Sequence, residues 1–121
     1  MIELRTGNCL NMALDLEDNS IDCTVTSPPY NKRGMGGGEI FRKIKYADFD
    51  DTLPENEYQE QQIELLDIIC DKTKEGGSLF YNHKIRYLDG DSIAPWEWLT
   101  KTKWNIREEI IWSRGSGLEV S

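Results

Sequence analysis

No run of apolar residues in this 121-residue sequence approaches the roughly 20 that a helix needs to cross a bilayer. The opening Met1-Ile2-Glu3-Leu4-Arg5 is not a signal peptide either, so the expectation is a soluble, cytoplasmic protein. Cysteine is scarce: Cys9, Cys23 and Cys70 stand too far apart for a Cys-x-x-Cys pair. That spacing gives no case for a metal site or a disulfide framework and reads as buried or half-buried thiols in a reducing compartment. Basic residues are in the minority, with 14 Lys and Arg against 22 Asp and Glu for a net charge of -8. Such a balance counts against a free-standing nucleic-acid binder, because phosphate attraction scales with the cations placed along the backbone. An acidic lobe can still act on a nucleic acid where another segment carries the basic groove, and the acid here is concentrated between Asp48 and Glu75.

What is present is a folded-protein composition, 38% hydrophobic with four tryptophans and five tyrosines, in a length that holds one domain. Ile2 and Leu4 alternate with charged neighbours and predict a short strand. Asn8 follows Gly7 as a helix cap for apolar Leu10, Ala13 and Leu14. Ile21 to Thr26 predicts a strand with Ile21, Cys23 and Val25 on one face, which Ser27-Pro28-Pro29 must end, since two successive residues lack an N–H. Residues 31–49 read as a flexible loop or lid, with four glycines among Gly34 to Gly38. Pro54 to Lys74 predicts a helix, acidic at its start and basic at its end, presenting Tyr58, Gln62, Leu65 and Ile69 in one line and stopped by Gly76-Gly77. Ser78 to Tyr81 predicts a strand, Ser92 to Leu99 a short helical segment, and Trp104 to Trp112 a further strand. The alternation of strands and helices predicts an α/β fold with a mainly parallel sheet flanked by helices. Sites in such sheets collect beyond the carboxyl ends of strands, where Asn82 to Lys84 could line a cleft.

The feature that carries chemistry is Ser27-Pro28-Pro29-Tyr30-Asn31 directly after the strand Ile21 to Thr26. With the preceding Asp18-Asn19-Ser20-Ile21-Asp22, it resembles the target-base motif of the amino-group DNA methyltransferases, which methylate cytosine N4 or adenine N6. The resemblance runs from Gly7 to about Trp112 and implies a partial Rossmann-like methyltransferase fold, the N-terminal portion of a catalytic domain over 1–121. The target-base motif stands first, in permuted order. The implied cofactor is S-adenosyl-L-methionine and the implied substrate is double-stranded DNA, engaged through the complete protein.

On this resemblance the Ser27 side chain and the Pro28 carbonyl accept the hydrogens of an exocyclic amine, with Pro29 stiffening the turn. Tyr30 stacks on the everted base, and an aromatic platform recovers about 1–3 kcal/mol of the cost of eversion. Asn31 either holds the turn or approaches the base, and Lys32 and Arg33 fall on the substrate side, although the two cations read equally as solvated loop residues. Asn8 matches the position near the cofactor adenine. His83 has no required role as a base, and Trp104 to Trp112 looks like a later sheet hairpin in which Arg107 is a partner. Ser-Pro-Pro-Tyr leans slightly to cytosine N4.

The family's Asp-Pro-Phe-x-Gly-Ser-Gly-like cofactor segment has no counterpart, and Gly34 to Gly38 is no substitute. That implies a fragment, a truncated gene, or a C-terminal segment or second subunit that completes the fold, with a homo-oligomer as one form of it. Two other readings stay open: a noncatalytic protein-interaction module or degenerate methyltransferase remnant, marked by exposed tryptophans, and methylation of RNA or of a protein amide.

Overall fold

The computed structural model describes residues 1–31 and 53–113. The chain opens with an extended segment whose Ile2 and Leu4 are exposed, in place of the predicted strand. Alternation alone does not make a strand; a hydrogen-bonding neighbour does, and none lies beside residues 2–5 among the described residues. Helix α1, Cys9–Leu14, begins as the sequence predicts: the Asn8 side chain accepts from the Leu10 N–H at 2.9 Å.

Strand β1, Ile21–Thr26, pairs in parallel with β2, Thr73–Tyr81. Between them the long helix α2, Glu55–Lys72, makes the crossover. Glu55 and Glu57 lie in its first turn and Lys72 in its last, each sign complementing the helix dipole. Its buried residues are Tyr58, Gln62, Leu66 and Ile69. The helix ends at Lys72, earlier than expected, where the Thr73 hydroxyl donates to Ile69 O at 2.6 Å. The Gly76-Gly77 pair instead lies inside β2, at an irregularity of register: Ile21 pairs with Thr73, whereas Cys23 pairs with Ser78. In β1, Ile21, Thr24 and Thr26 are half-buried, whereas Cys23 and Val25 are exposed. Cys9 is exposed too and Cys70 half-buried, so two of the three thiols depart from the expected burial.

A hairpin of β3, Arg86–Leu88, and β4, Asp91–Ile93, follows, turning at Asp89-Gly90 with φ of 52° and 84°. A two-residue Asp-Gly turn with positive φ at both positions matches the twist of the flanking strands. Helix α3, Trp96–Leu99, takes only the second half of the segment predicted as helical. The core gathers Tyr58, Ile93 and Trp98 around partly buried Leu53, Ile63, Tyr81 and Leu88.

Trp104 to Trp112 is not a strand. Its start is held because Trp104 Nε1 donates to Leu66 O at 2.7 Å, but Ile110, Ile111 and Trp112 are exposed and pair with no neighbour among the described residues. The result is an α/β structure with one short parallel sheet and one antiparallel hairpin, compatible with part of a methyltransferase fold.

Candidate active site

Parallel pairing of Thr26 with Tyr81 sets Ser27 and Asn82 side by side beyond the carboxyl ends of β1 and β2. The Asn82 N–H extends the pairing by donating to Thr26 O at 2.8 Å. Its side-chain Nδ2 then donates to Ser27 Oγ at 3.2 Å and to Tyr30 OH at 3.1 Å, and those two hydroxyls share a hydrogen bond of 2.8 Å. Ser27 is exposed while Pro28, Pro29 and Tyr30 are half-buried, so the motif is open to a ligand along its hydroxyl side. No hydrogen bond to the Pro28 carbonyl is made by the described residues.

Behind this rim the motif is anchored to α2. The Tyr58 hydroxyl donates to Pro29 O at 2.5 Å and is bonded to His83 Nε2 at 2.8 Å. Asn31, fully buried with φ of 53°, donates from Nδ2 to Leu53 O at 2.8 Å. Asn is among the few side chains that tolerate this left-handed backbone. Asn31 therefore holds the turn from within. Lys32, Arg33 and the expected loop 31–49 beyond Asn31 lie outside the described residues.

His83 sits in an aromatic box. Its ring is 4.8 Å from that of Tyr30 and 4.9 Å from Trp98, and it stacks on Tyr81 at 5.7 Å. Burial lowers its pKa to about 4, so the ring is neutral at physiological pH. Burial likewise pushes the Tyr81 phenol above its ordinary range; its hydroxyl donates to Gln62 Oε1 at 2.6 Å. Arg86 closes the box from below, its guanidinium 4.8 Å from the Tyr58 ring centre. It meets Glu55 in a two-pronged pair at 2.7 Å for each bond. Burial alone would raise the Glu55 pKa, but the bonds from Arg86 and Gln59 outweigh it and lower it.

A groove of about 980 Å³ lies on the other side of β1, between the N-terminal segment with α1 and the Gln62, Leu65 and Ile69 side of α2. Its wall includes Gly7 and Asn8 at one end and Thr26 to Pro29 at the other, so one space joins the Gly7-Asn8 position to the strand-end motif.

Residues 21–120 match the model of a family described as DNA methylase. The chain belongs to the DNA methylase family. The chain is also 29% identical over 124 aligned positions to the Type II methyltransferase M.BglII of Bacillus subtilis, an alignment covering 98% of this chain and 31% of that protein. The chain thus spans about a third of the length of the curated relative it matches. Sequence reasoning marked Ser27 to Asn31 but gave no site role to Tyr58, and placed Asn82 only as a possible cleft lining. The signal for Asn82 was the register of the parallel pair, since the residue after Tyr81 must adjoin the residue after Thr26. Tyr58 carried no signal of its own, because its site role comes from the tip of a side chain on an otherwise ordinary buried helix face.

Proposed function

We propose that the complete protein is an S-adenosyl-L-methionine-dependent DNA methyltransferase acting on an exocyclic amine, cytosine N4 or adenine N6, with Ser27 favouring cytosine. The observation that carries this reading is an exposed Ser27 and a Pro28 carbonyl unengaged by the described residues, together at the strand end beside Tyr30. Family membership and the M.BglII relative support it.

Hydrogen-bond arithmetic supports an accepting role for Ser27. Its oxygen carries two lone pairs and one proton. Asn82 Nδ2 takes one lone pair. With the Ser27 proton directed to Tyr30 OH, the second lone pair is left for the target amine; with the opposite direction, both lone pairs are filled and acceptance fails. The Pro28 carbonyl offers the second acceptor. Two acceptors directed at the amine hydrogens hold nitrogen in the geometry in which its lone pair can attack, and stabilise the charge that develops on it. Lysis of a covalent intermediate is not needed, which leaves the cysteines without a part.

The groove suits the cofactor in size, since ligand sites run to about 300–1,000 Å³. It also offers both a polar end at Asn8 and apolar walls at Leu10, Leu16 and Leu65. When bound, the cofactor supplies an electrophilic methyl group on sulfonium. Asn8 Oδ1 is committed to the α1 cap, so Nδ2 is the donor it can offer an adenine ring.

The test incubates the complete protein with labelled methyl donor and duplex DNA, then resolves the nucleosides. N4-methylcytosine is the expected product, with Ser27→Ala and Tyr30→Ala each lowering its formation at least tenfold. Absence of any methylated nucleoside, or parental rates in both variants, would overturn the proposal; N6-methyladenine would move the target and leave the chemistry standing.

A further inference from the structure

A Pro-Pro turn has no N–H of its own at either proline, so it can be fixed only through its carbonyls and its neighbours. Here the Pro29 carbonyl is held from 29 residues away by the hydroxyl of Tyr58, a residue with no exposed surface in the first turns of α2. That hydroxyl has one proton, and Pro29 O can only accept it. The bond between Tyr58 OH and His83 Nε2 must then run from imidazole N–H to phenol oxygen. In the neutral ring this leaves Nδ1 as an acceptor for the Lys84 N–H, whose nitrogen lies 2.9 Å away, while Lys84 O at the same distance can accept from Nδ1 only when the ring is protonated. Every polar atom of the imidazole is thereby assigned, with no lone pair left for a substrate proton. The same ring backs Tyr30 at 4.8 Å.

We propose that Tyr58 and His83 are positioning residues for methyl transfer, the Tyr58 hydroxyl pinning the Pro29 carbonyl while the His83 ring orients both that hydroxyl and the Tyr30 side chain. The inference rests on the functional reading above. Neither residue touches the base; they fix the direction of the Pro28 carbonyl and the tilt of the stacking ring. A misdirected acceptor lowers turnover without removing the surface that binds DNA.

The experiment compares parent, Tyr58→Phe, His83→Gln and His83→Ala in the complete protein, by steady-state methylation of duplex DNA and by thermal unfolding. Tyr58→Phe keeps the buried ring and removes one oxygen. It is expected to lower kcat about tenfold with KM for DNA within twofold of parent. His83→Gln, whose amide N–H can replace the Nε2 donor, is expected to retain at least threefold more kcat than His83→Ala. A purely structural role would make kcat follow melting temperature across the variants and would give no rescue by Gln. Parental kcat in Tyr58→Phe, or equal loss in the two His83 variants, overturns the inference while parent activity keeps the functional reading. If Tyr58→Phe does not fold, the two His83 variants decide. A parent that transfers no methyl group to DNA sinks both.

Discussion

His83 is the one histidine of the chain, and its surroundings give it a measurable signature apart from any reaction. Desolvation among the rings of Tyr30, Tyr81 and Trp98 disfavours the imidazolium, the backbone of Lys84 opposes that effect, and the charge of Arg86 adds to it. The folded pKa is about 4 against 6.5 for the free side chain. Between these values the unfolded chain binds a proton that the folded one refuses, so stability rises with pH through this window and levels off above it. Glu55 acts lower: its depressed folded pKa means that its contribution is present above 4.5 and is lost as pH falls through the folded value. Urea unfolding between pH 4 and 7 is therefore expected to show stability climbing by up to about 3 kcal/mol. His83→Gln is expected to remove most of the climb between pH 5 and 6.5. A level profile in the parent across that interval would count against a buried neutral imidazole.

The elements differ in how plainly the sequence announces them, and the difference is physical. Helix α2 is legible because its periodic apolar line, acidic start and basic end all act within one segment. Strand β1 was legible from its β-branched residues and the prolines that stop it, and with it came the position of Ser27 to Tyr30 at a strand end. Its facing was not, because which side is covered depends on residues far along the chain. Trp104 to Trp112 shows the same limit: alternation states which residues could share a face, while only a paired neighbour makes a strand. The β3–β4 hairpin had a local signal in Asp89-Gly90 that was passed over. The glycine pair of β2 was assigned to helix termination, whereas packing gives it another use. A Cβ on Gly77 would clash with Thr73 Cγ2 and lie 2.9 Å from Lys74 O within its own strand and 3.0 Å from Asp22 O across the sheet, while Gly76 has a φ of 82° and open space around it. Gly77→Ala is accordingly expected to disturb the pairing of β1 with β2 and cost about 1–3 kcal/mol. Gly76→Ala carries only the left-handed backbone penalty of about 1–2 kcal/mol. Amide exchange at Cys23 to Val25 separates them: faster exchange is expected in Gly77→Ala and not in Gly76→Ala, and identical exchange in the two would contradict this account of the bulge.

At the scale of the whole molecule, β1 has a different partner on each side of its carboxyl end. Toward β2 and the start of α2 lies the aromatic box that fixes Pro29 and Tyr30; between α1 and the Gln62 to Ile69 stretch of α2 lies the groove that runs from Asn8 to Pro28. A methyl donor in the groove and an amine acceptor at Ser27 would meet across the proline turn, which is why rigidity there matters to both. Asn8 serves this arrangement twice, as the cap of α1 through Oδ1 and, on the proposed reading, as a donor to the cofactor through Nδ2. The two roles separate by substitution. Serine caps a helix about as well as asparagine but has no amide to reach into the groove. Asn8→Ser in the complete protein is therefore expected to unfold within about 0.5 kcal/mol of parent while binding S-adenosyl-L-methionine several-fold more weakly by calorimetry. Asn8→Ala is expected to lose the cap as well, about 1 kcal/mol. If Asn8→Ser binds the cofactor as tightly as parent, the groove end at Gly7 and Asn8 is only a helix start, and the methyl donor must be held by other residues.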